Sequence, residues 1–129
     1  MMKFKFSIDE DHNVILVDAK LNGFSTRLLL DTGASNTVID LTTLLSTGFH
    51  FKDSIDKIKI KTAKGIVEAE VFVVKQLESL GITQQKYAVT AYDFIGNGII
   101  SEFDGVLGLY FFENNKICID FVNNAITIF

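Results

Sequence analysis

Short runs of apolar and β-branched residues, each closed by a turn signal, recur from one end of this chain to the other, and that rhythm points to strands. Met1 to Asp9 alternates polar and apolar residues, and after the polar turn Asp9-Glu10-Asp11-His12-Asn13 the run Val14 to Lys20 returns, so an antiparallel hairpin is expected. Asn22-Gly23 is a second turn signal and sends Ser25 to Leu30 back along it. Val38-Ile39 reads as a short strand, and Asp40 is placed to cap a short helix over Leu41 to Ser46 that leaves at Gly48. Ile55 to Lys61 and Ile66 to Val74 carry apolar residues alternating with charged ones, which describes a long hairpin with a wet face and a tip at Thr62-Ala63-Lys64-Gly65. Gln76 to Gln85 suggests a short helical or turn segment, Lys86 to Tyr92 a strand, Phe94 to Ile100 a glycine-punctuated loop, and Phe103 to Leu109 a strand ending at Gly108 with a short helix after it. Lys116 to Phe121 and Ala125 to Phe129 form a last hairpin around Asn123-Asn124. With no proline and no linker-like stretch, residues 1–129 are expected to form a single, mostly β barrel or sandwich.

Charge and composition narrow the partners. A net charge of −4 offers no attractive field to nucleic acid. No window approaches the 18 or so uncharged apolar residues of a membrane span, and the start meets charge by position 9, unlike a signal peptide. A soluble, cytoplasmic protein is expected. The lone Cys118 cannot form an internal disulfide or a cysteine zinc site, and reads as a buried or half-buried strand thiol. Two histidines without a carboxylate cluster at ligand spacing leave no basis for a metal: His12 reads as a solvated turn residue, and His50, between Phe49 and Phe51, as a packed or edge residue. No cofactor is expected.

The chemically loaded stretch is Leu28-Leu29-Leu30-Asp31-Thr32-Gly33-Ala34-Ser35. Three apolar residues run straight into a carboxylate, and a carboxylate at the end of a buried strand must either gain partners or lose its charge. Asp31 is therefore the candidate functional residue. A β-turn carboxylate with no reaction to run is the plainer reading of Asp-Thr-Gly taken alone.

Together with two further stretches, this one resembles the retropepsin-like aspartic proteases of the retroviral and bacterial single-domain type. The resemblance rests on Leu29 to Ser35, on the hairpin around Thr62-Ala63-Lys64-Gly65 at the family's flap position, and on Asp104-Gly105-Val106-Leu107-Gly108-Leu109 followed by a short helix and a terminal hairpin. It implies an all-β, closed retropepsin-like acid-protease barrel with a flap hairpin and one or two short helices. It further implies catalysis by Asp31, support of the catalytic loop by Thr32 and Gly33, a substrate-binding flap at Thr62, Ala63, Lys64 and Gly65, and a framework built by Val106, Leu107 and Gly108.

Aspartic proteases need two carboxylates sharing one proton, one to activate water and one to polarise the scissile carbonyl. Two charges about 3 Å apart at an effective dielectric near 20 repel by roughly 5 kcal/mol, so both do not ionise near neutrality. This chain holds one Asp-Thr-Gly, and Asp104-Gly105, lacking the hydroxyl, is a weak claimant for the second role. The resemblance thus implies a homodimer in which Asp31 of each copy meets on a two-fold axis and hydrolyses a peptide or protein substrate. Thr32 would hydrogen-bond across that interface. Ala34 stands where two-lobed pepsins carry a hydroxyl, and a carboxylate without that donor should work at less acidic pH. The alternating ends, Phe4 to Ile8 and Ile126 to Phe129, would be sticky edges that a second chain could cover. The alternative to an endopeptidase is a catalytically inactive dimeric module that binds peptide.

Overall fold

The computed structural model describes residues 1–10, 13–62, 65–98 and 102–129. His12, the tip residues Ala63 and Lys64, and Ile99-Ile100 of the glycine-punctuated loop lie outside the described residues.

The chain runs β1 (Met2–Lys5), β2 (Ser7–Asp9), β3 (Val14–Leu21), β4 (Phe24–Leu30), β5 (Val38–Asp40), α1 (Leu41–Ser46), β6 (Asp56–Thr62), β7 (Gly65–Ser79), β8 (Ile82–Tyr92), β9 (Gly105–Leu107), β10 (Ile117–Asp120) and β11 (Ala125–Ile128). Short 3-10 turns occupy Phe51–Asp53, Ile95–Asn97 and Leu109–Phe112. Eight strands form one sheet in the order β2-β3-β4-β9-β5-β8-β7-β6, and β3 also pairs with β7 through Ala19↔Ser79 to Leu21↔Leu77. The ladder from β3 through β4, β9, β5, β8 and β7 therefore returns to the strand it started from. Inside it pack Leu21, Leu28, Ile39, Leu44, Phe72, Leu77, Leu107 and Phe111, all fully buried. Each such side chain is worth about 1.5–3 kcal/mol of burial.

The local rules explain most of this. Asn22 and Gly23 both take positive φ, 49° and 85°, as a two-residue hairpin turn requires, and they fix the β3–β4 register from Leu21↔Phe24 to Leu16↔Leu29. Helix α1 stands where expected, but Asp40 does not cap it through its side chain. Its Oδ1 instead accepts the Phe94 backbone N–H at 3.1 Å, tying the helix start to the end of β8.

Three expectations are corrected. Residues 76–85 are neither helical nor a loop: β7 and β8 run on through a tight turn at Leu80-Gly81, both at positive φ, because Leu77, Ser79 and Ile82 bury their side chains in the body and the ladder extends to Ser79↔Ile82. The first hairpin is split. Phe6 is buried between β1 and β2, so only Ser7–Asp9 pairs with β3, while Met2–Lys5 crosses to a separate three-stranded sheet, β1-β11-β10. The two alternating ends thus cover each other, Met2↔Ile128 through Lys5↔Ala125. Cys118 is exposed, since alternation along β10 puts it with Thr127 on the outward face.

The long hairpin behaves as an exposed ribbon. Lys57 sits opposite Glu70 and Lys59 opposite Glu68, and the Lys57 ammonium lies 3.8 Å from Glu70. Ile66, beside the tip, is 72% exposed. Where β7 enters the body its buried face changes, so that Phe72 and Val74 point inward and Val73 outward.

Candidate active site

Asp31 follows Leu30 at the open end of β4. The next strand that reaches this point in space is not β5 but β9, which lies parallel to β4 (Leu28↔Gly105, Leu30↔Leu107) and antiparallel to β5 (Val38↔Val106, Ile39↔Gly105). The loop of residues 31–37 must therefore arch over the end of β9. It is pinned there by backbone: Asp31 N–H donates to Leu107 O at 3.2 Å, Leu109 N–H to Ala34 O at 2.8 Å, and Tyr110 N–H to Ser35 O at 3.0 Å.

Gly108 is where loop and strand touch. A Cβ built there would stand 2.4 Å from Asn36 O and 2.8 Å from Ser35 O. Its φ of −91° is open to any residue, so space and not handedness demands glycine. Gly108 N–H donates to the Thr37 hydroxyl at 3.2 Å, and that hydroxyl also meets the Tyr87 hydroxyl at 3.1 Å. Thr37 is wholly buried, and burial pushes the Tyr87 phenol above its ordinary value, partly offset by the Thr37 bond. Thr37 and Tyr87 thus lock the loop to β9 and β8, and the linear sequence singles out neither: Thr37 looks like any polar residue entering a strand, and Tyr87 is fifty positions away.

The carboxylate itself is half-buried. Its Oδ1 accepts the Gly33 N–H at 2.8 Å, and a Cβ on Gly33 would crowd that oxygen at 3.1 Å. Thr32 and Gly33 face solvent. Among the described residues no hydrogen bond joins Asp31 to another carboxylate.

Asp104, the weak claimant for a second acid, is occupied elsewhere. Its Oδ2 accepts the Arg27 N–H at 2.9 Å and its Oδ1 the Thr43 hydroxyl at 3.3 Å. Arg27 lies four residues before Asp31 on one strand, a separation of about 13 Å at 3.3 Å per residue. Asp104 therefore staples β4 to α1 and does not reach Asp31's proton.

Next to the loop, paired residues share a sheet face, and one such row runs Leu29–Val106–Val38–Thr90–Val71 across β4, β9, β5, β8 and β7. Leu29, Val106 and Val38 are half-buried, whereas their chain neighbours Leu28, Leu30, Leu107 and Ile39 are buried on the other side. An apolar strip thus leads away from Asp31. Leu29 and Val38 carry no signal of their own in the sequence, because the strip exists only once β9 separates β4 from β5. Val71 at the far end of the row is also where the ribbon of β6 and β7 springs from the body, opposite Asp56. From Val71 to Gly65 the ribbon spans about 20 Å, and the row from β7 to β4 spans about 19 Å at 4.8 Å per strand. The ribbon is long enough to reach back over the strip. Its last described pair is Thr62↔Gly65.

A strand-borne Asp-Thr-Gly loop held by a crossing apolar-apolar-Gly strand, in a sheet that also carries a long hairpin, is a construction of the aspartic-protease type. The aspartyl protease family matches residues 17–111, and the chain belongs to that family. Among solved structures it is similar to a retropepsin-like aspartic protease from Rickettsia conorii, at 17% identity and a TM-score of 0.66, over 96% of this chain and 86% of that one. The fold is thus mostly β and retropepsin-like. No curated protein sequence matches the chain.

Proposed function

We propose that the protein is an aspartic endopeptidase whose active site is completed by Asp31 of a second copy. The observation that carries this reading is a paradox of construction: the Asp31 loop is fastened to its neighbours by hydrogen bonds at Asp31, Ala34, Ser35 and Thr37 and by a glycine that admits no side chain, yet it offers one carboxylate to a reaction that uses two. A two-fold axis beside Thr32 and Gly33, both solvent-facing, supplies the other.

In that arrangement one Asp31 carboxylate is ionised and takes a proton from water as it attacks the scissile carbonyl, while the other carboxyl donates a hydrogen bond to the carbonyl oxygen. The Gly33 N–H donates to Oδ1 and so fixes the orientation of the carboxylate. The Leu29–Val106–Val38 strip would receive an apolar side chain of an extended peptide, and the ribbon with Thr62, Ala63, Lys64 and Gly65 at its tip would cover it. The returning ladder of strands supports describing the body as a closed barrel.

Asp31→Asn tests the reading. Asn keeps an oxygen for the Gly33 N–H, so the melting temperature should stay near that of the wild type, while peptide cleavage should fall by about 10²–10⁴-fold or more. Cleavage at the wild-type rate by the folded variant refutes it. Peptide binding by the wild type without any cleavage would instead assign the chain as an interaction module.

A further inference from the structure

We propose that the outer edge of β1 takes up an extended acidic segment of another protein, which joins the sheet of the chain ends as a fourth strand with its carboxylates against Lys3 and Lys5.

That sheet runs β1-β11-β10, so β1 and β10 each have one neighbour and one outer edge, and among the described residues no strand pairs with either edge. Two hydrogen bonds fix which backbone groups lie there. The Phe6 N–H donates to Asn124 O at 3.0 Å, and the Phe129 N–H to Lys116 O at 2.9 Å. Bonded and non-bonded pairs alternate along an antiparallel ladder. Asn124, Ile126 and Ile128 therefore bond towards β1, and Ala125, Thr127 and Phe129 towards β10. Phe4 and Met2, opposite Ile126 and Ile128, direct their backbone groups at β11. The N–H and C=O groups of Lys3 and Lys5 point out of the edge, and on β10 those of Ile117 and Ile119 do the same.

The two residues with outward backbone also carry the charge. Met2 and Phe4 turn towards the body, where their side chains close over Gly81, and alternation puts Lys3 and Lys5 on the opposite, exposed face. Lys3, Phe4, Lys5, Asn123 and Ala125 line a recess of about 270 Å³, ample for a carboxylate side chain. The Lys5 ammonium rests on a neutral group, donating to Asn123 O at 3.3 Å. Asp120 shares this face through the row Lys5–Ala125–Asp120, but its carboxylate is committed to its own turn, accepting the N–H groups of Val122 and Asn123 and the Asn123 side-chain amide. Charge is segregated along the chain as well. Residues 1–5 and 116–129 hold three lysines and one acid, whereas residues 6–115 hold nine basic and fifteen acidic residues. A second copy is a poor occupant of the edge, because β1 against β1 sets lysine opposite lysine, and like charges directly opposite destabilise a pair. An acidic strand converts the same positions into opposite-charge pairs. Strand addition draws affinity from main-chain bonds and selectivity from alternate side chains, and Lys3 and Lys5 supply both.

The experiment titrates the full chain at low salt with three ten-residue peptides that alternate threonine with glutamate, glutamine or lysine, read by NMR shifts and amide exchange. The glutamate peptide should bind at least about tenfold more tightly than the other two, and the difference should shrink at high salt. In the wild type, a readout independent of mutation, it should protect the amides of Lys3 and Lys5 and leave those of Ile117 and Ile119 exchanging as before. The double variant Lys3→Glu, Lys5→Glu should prefer the lysine peptide instead. Lys75→Glu, the same reversal at an exposed position on β7, should keep the wild-type order. Phosphatidylserine vesicles provide the comparison with an anionic lipid surface. Failure of the glutamate peptide to bind at millimolar concentration, equal binding of all three peptides, protection at Ile117 and Ile119 in place of Lys3 and Lys5, or binding of vesicles alone each overturns the proposal. Protection of Lys3 and Lys5 that rises with protein concentration and no peptide also overturns it, by assigning the edge to a second copy. None of these readouts uses cleavage, so the proposal stands or falls apart from the reading of Asp31.

Discussion

Gly108→Ala is the substitution that tests the construction of this site most directly. The new methyl carbon would begin 2.4 Å from Asn36 O and 2.5 Å from Asn36 C, against an ordinary contact of 3.4 Å or more. Neither atom is the end of a flexible side chain, so loop and strand must part by about 1 Å. Overpacking of this kind costs about 1–3 kcal/mol. The parting also stretches the Gly108 N–H bond to Thr37 and the Leu109 N–H bond to Ala34, worth about 1 kcal/mol each when intact. A total near 2–4 kcal/mol is expected, which for a domain of this size lowers Tm by roughly 6–20 °C. Because the displaced backbone carries Asp31, a shift of about 1 Å should lower kcat/KM by on the order of 10²-fold even in the folded fraction. Differential scanning calorimetry and cleavage measured well below the melting transition read the two effects separately. Gly48→Ala is the contrast: it meets nothing within 4 Å and only a positive φ of 104°, so about 1 kcal/mol of strain with unchanged activity is expected. A Gly108→Ala protein with wild-type Tm refutes the close-approach reasoning. One with lowered Tm and wild-type kcat/KM refutes the claim that this contact positions Asp31.

Thr37→Val keeps the shape but removes the hydroxyl that serves Gly108 and Tyr87, so about 1–3 kcal/mol should be lost in urea unfolding, and Thr37→Ser should restore most of it; an unchanged midpoint for the valine variant would contradict the lock. Tyr87 supplies a pH signature. Its phenol ionises at a higher pH when folded than when unfolded, chiefly because it is desolvated, so its contribution is constant below the unfolded value of about 10 and declines as pH rises through the interval between the two values. Tyr87→Phe should lose that component of alkaline destabilisation, and a variant with the wild-type alkaline profile would show that the burial of the phenol carries no linkage.

What was legible and what was not divides along the range of the interactions. The hairpin of β3 and β4 was readable because Asn22-Gly23 encodes its own turn, and the ribbon of β6 and β7 because Lys57, Lys59, Glu68 and Glu70 keep a period of two against their apolar neighbours. The continuation of β7 into β8 was not readable. Leu80 turns at a φ of 53° that few leucines adopt, and the polar residues Gln76, Gln84 and Gln85 are set in strands by the ladder and not by their own preference. Cys118 and the pairing of the first strand were misjudged for a related reason, since which face or edge is covered depends on the neighbour a strand finds.

The sequence by itself determined the chemistry that is possible here. Asp31, Thr32 and Gly33 at the end of a leucine run, and Val106, Leu107 and Gly108 some seventy residues later, are fixed by residue type and need no coordinates to be noticed. Only the tertiary structure decided what they do to one another. It laid β9 between β4 and β5, brought Gly108 against Asn36 where no side chain fits, turned Asp104 away to hold Arg27 and Thr43, and set the two chain ends side by side. The physical reason is that a turn or an alternating strand is specified by neighbours along the chain, whereas a contact between residues seventy apart forms only when the whole ladder of strands closes its register.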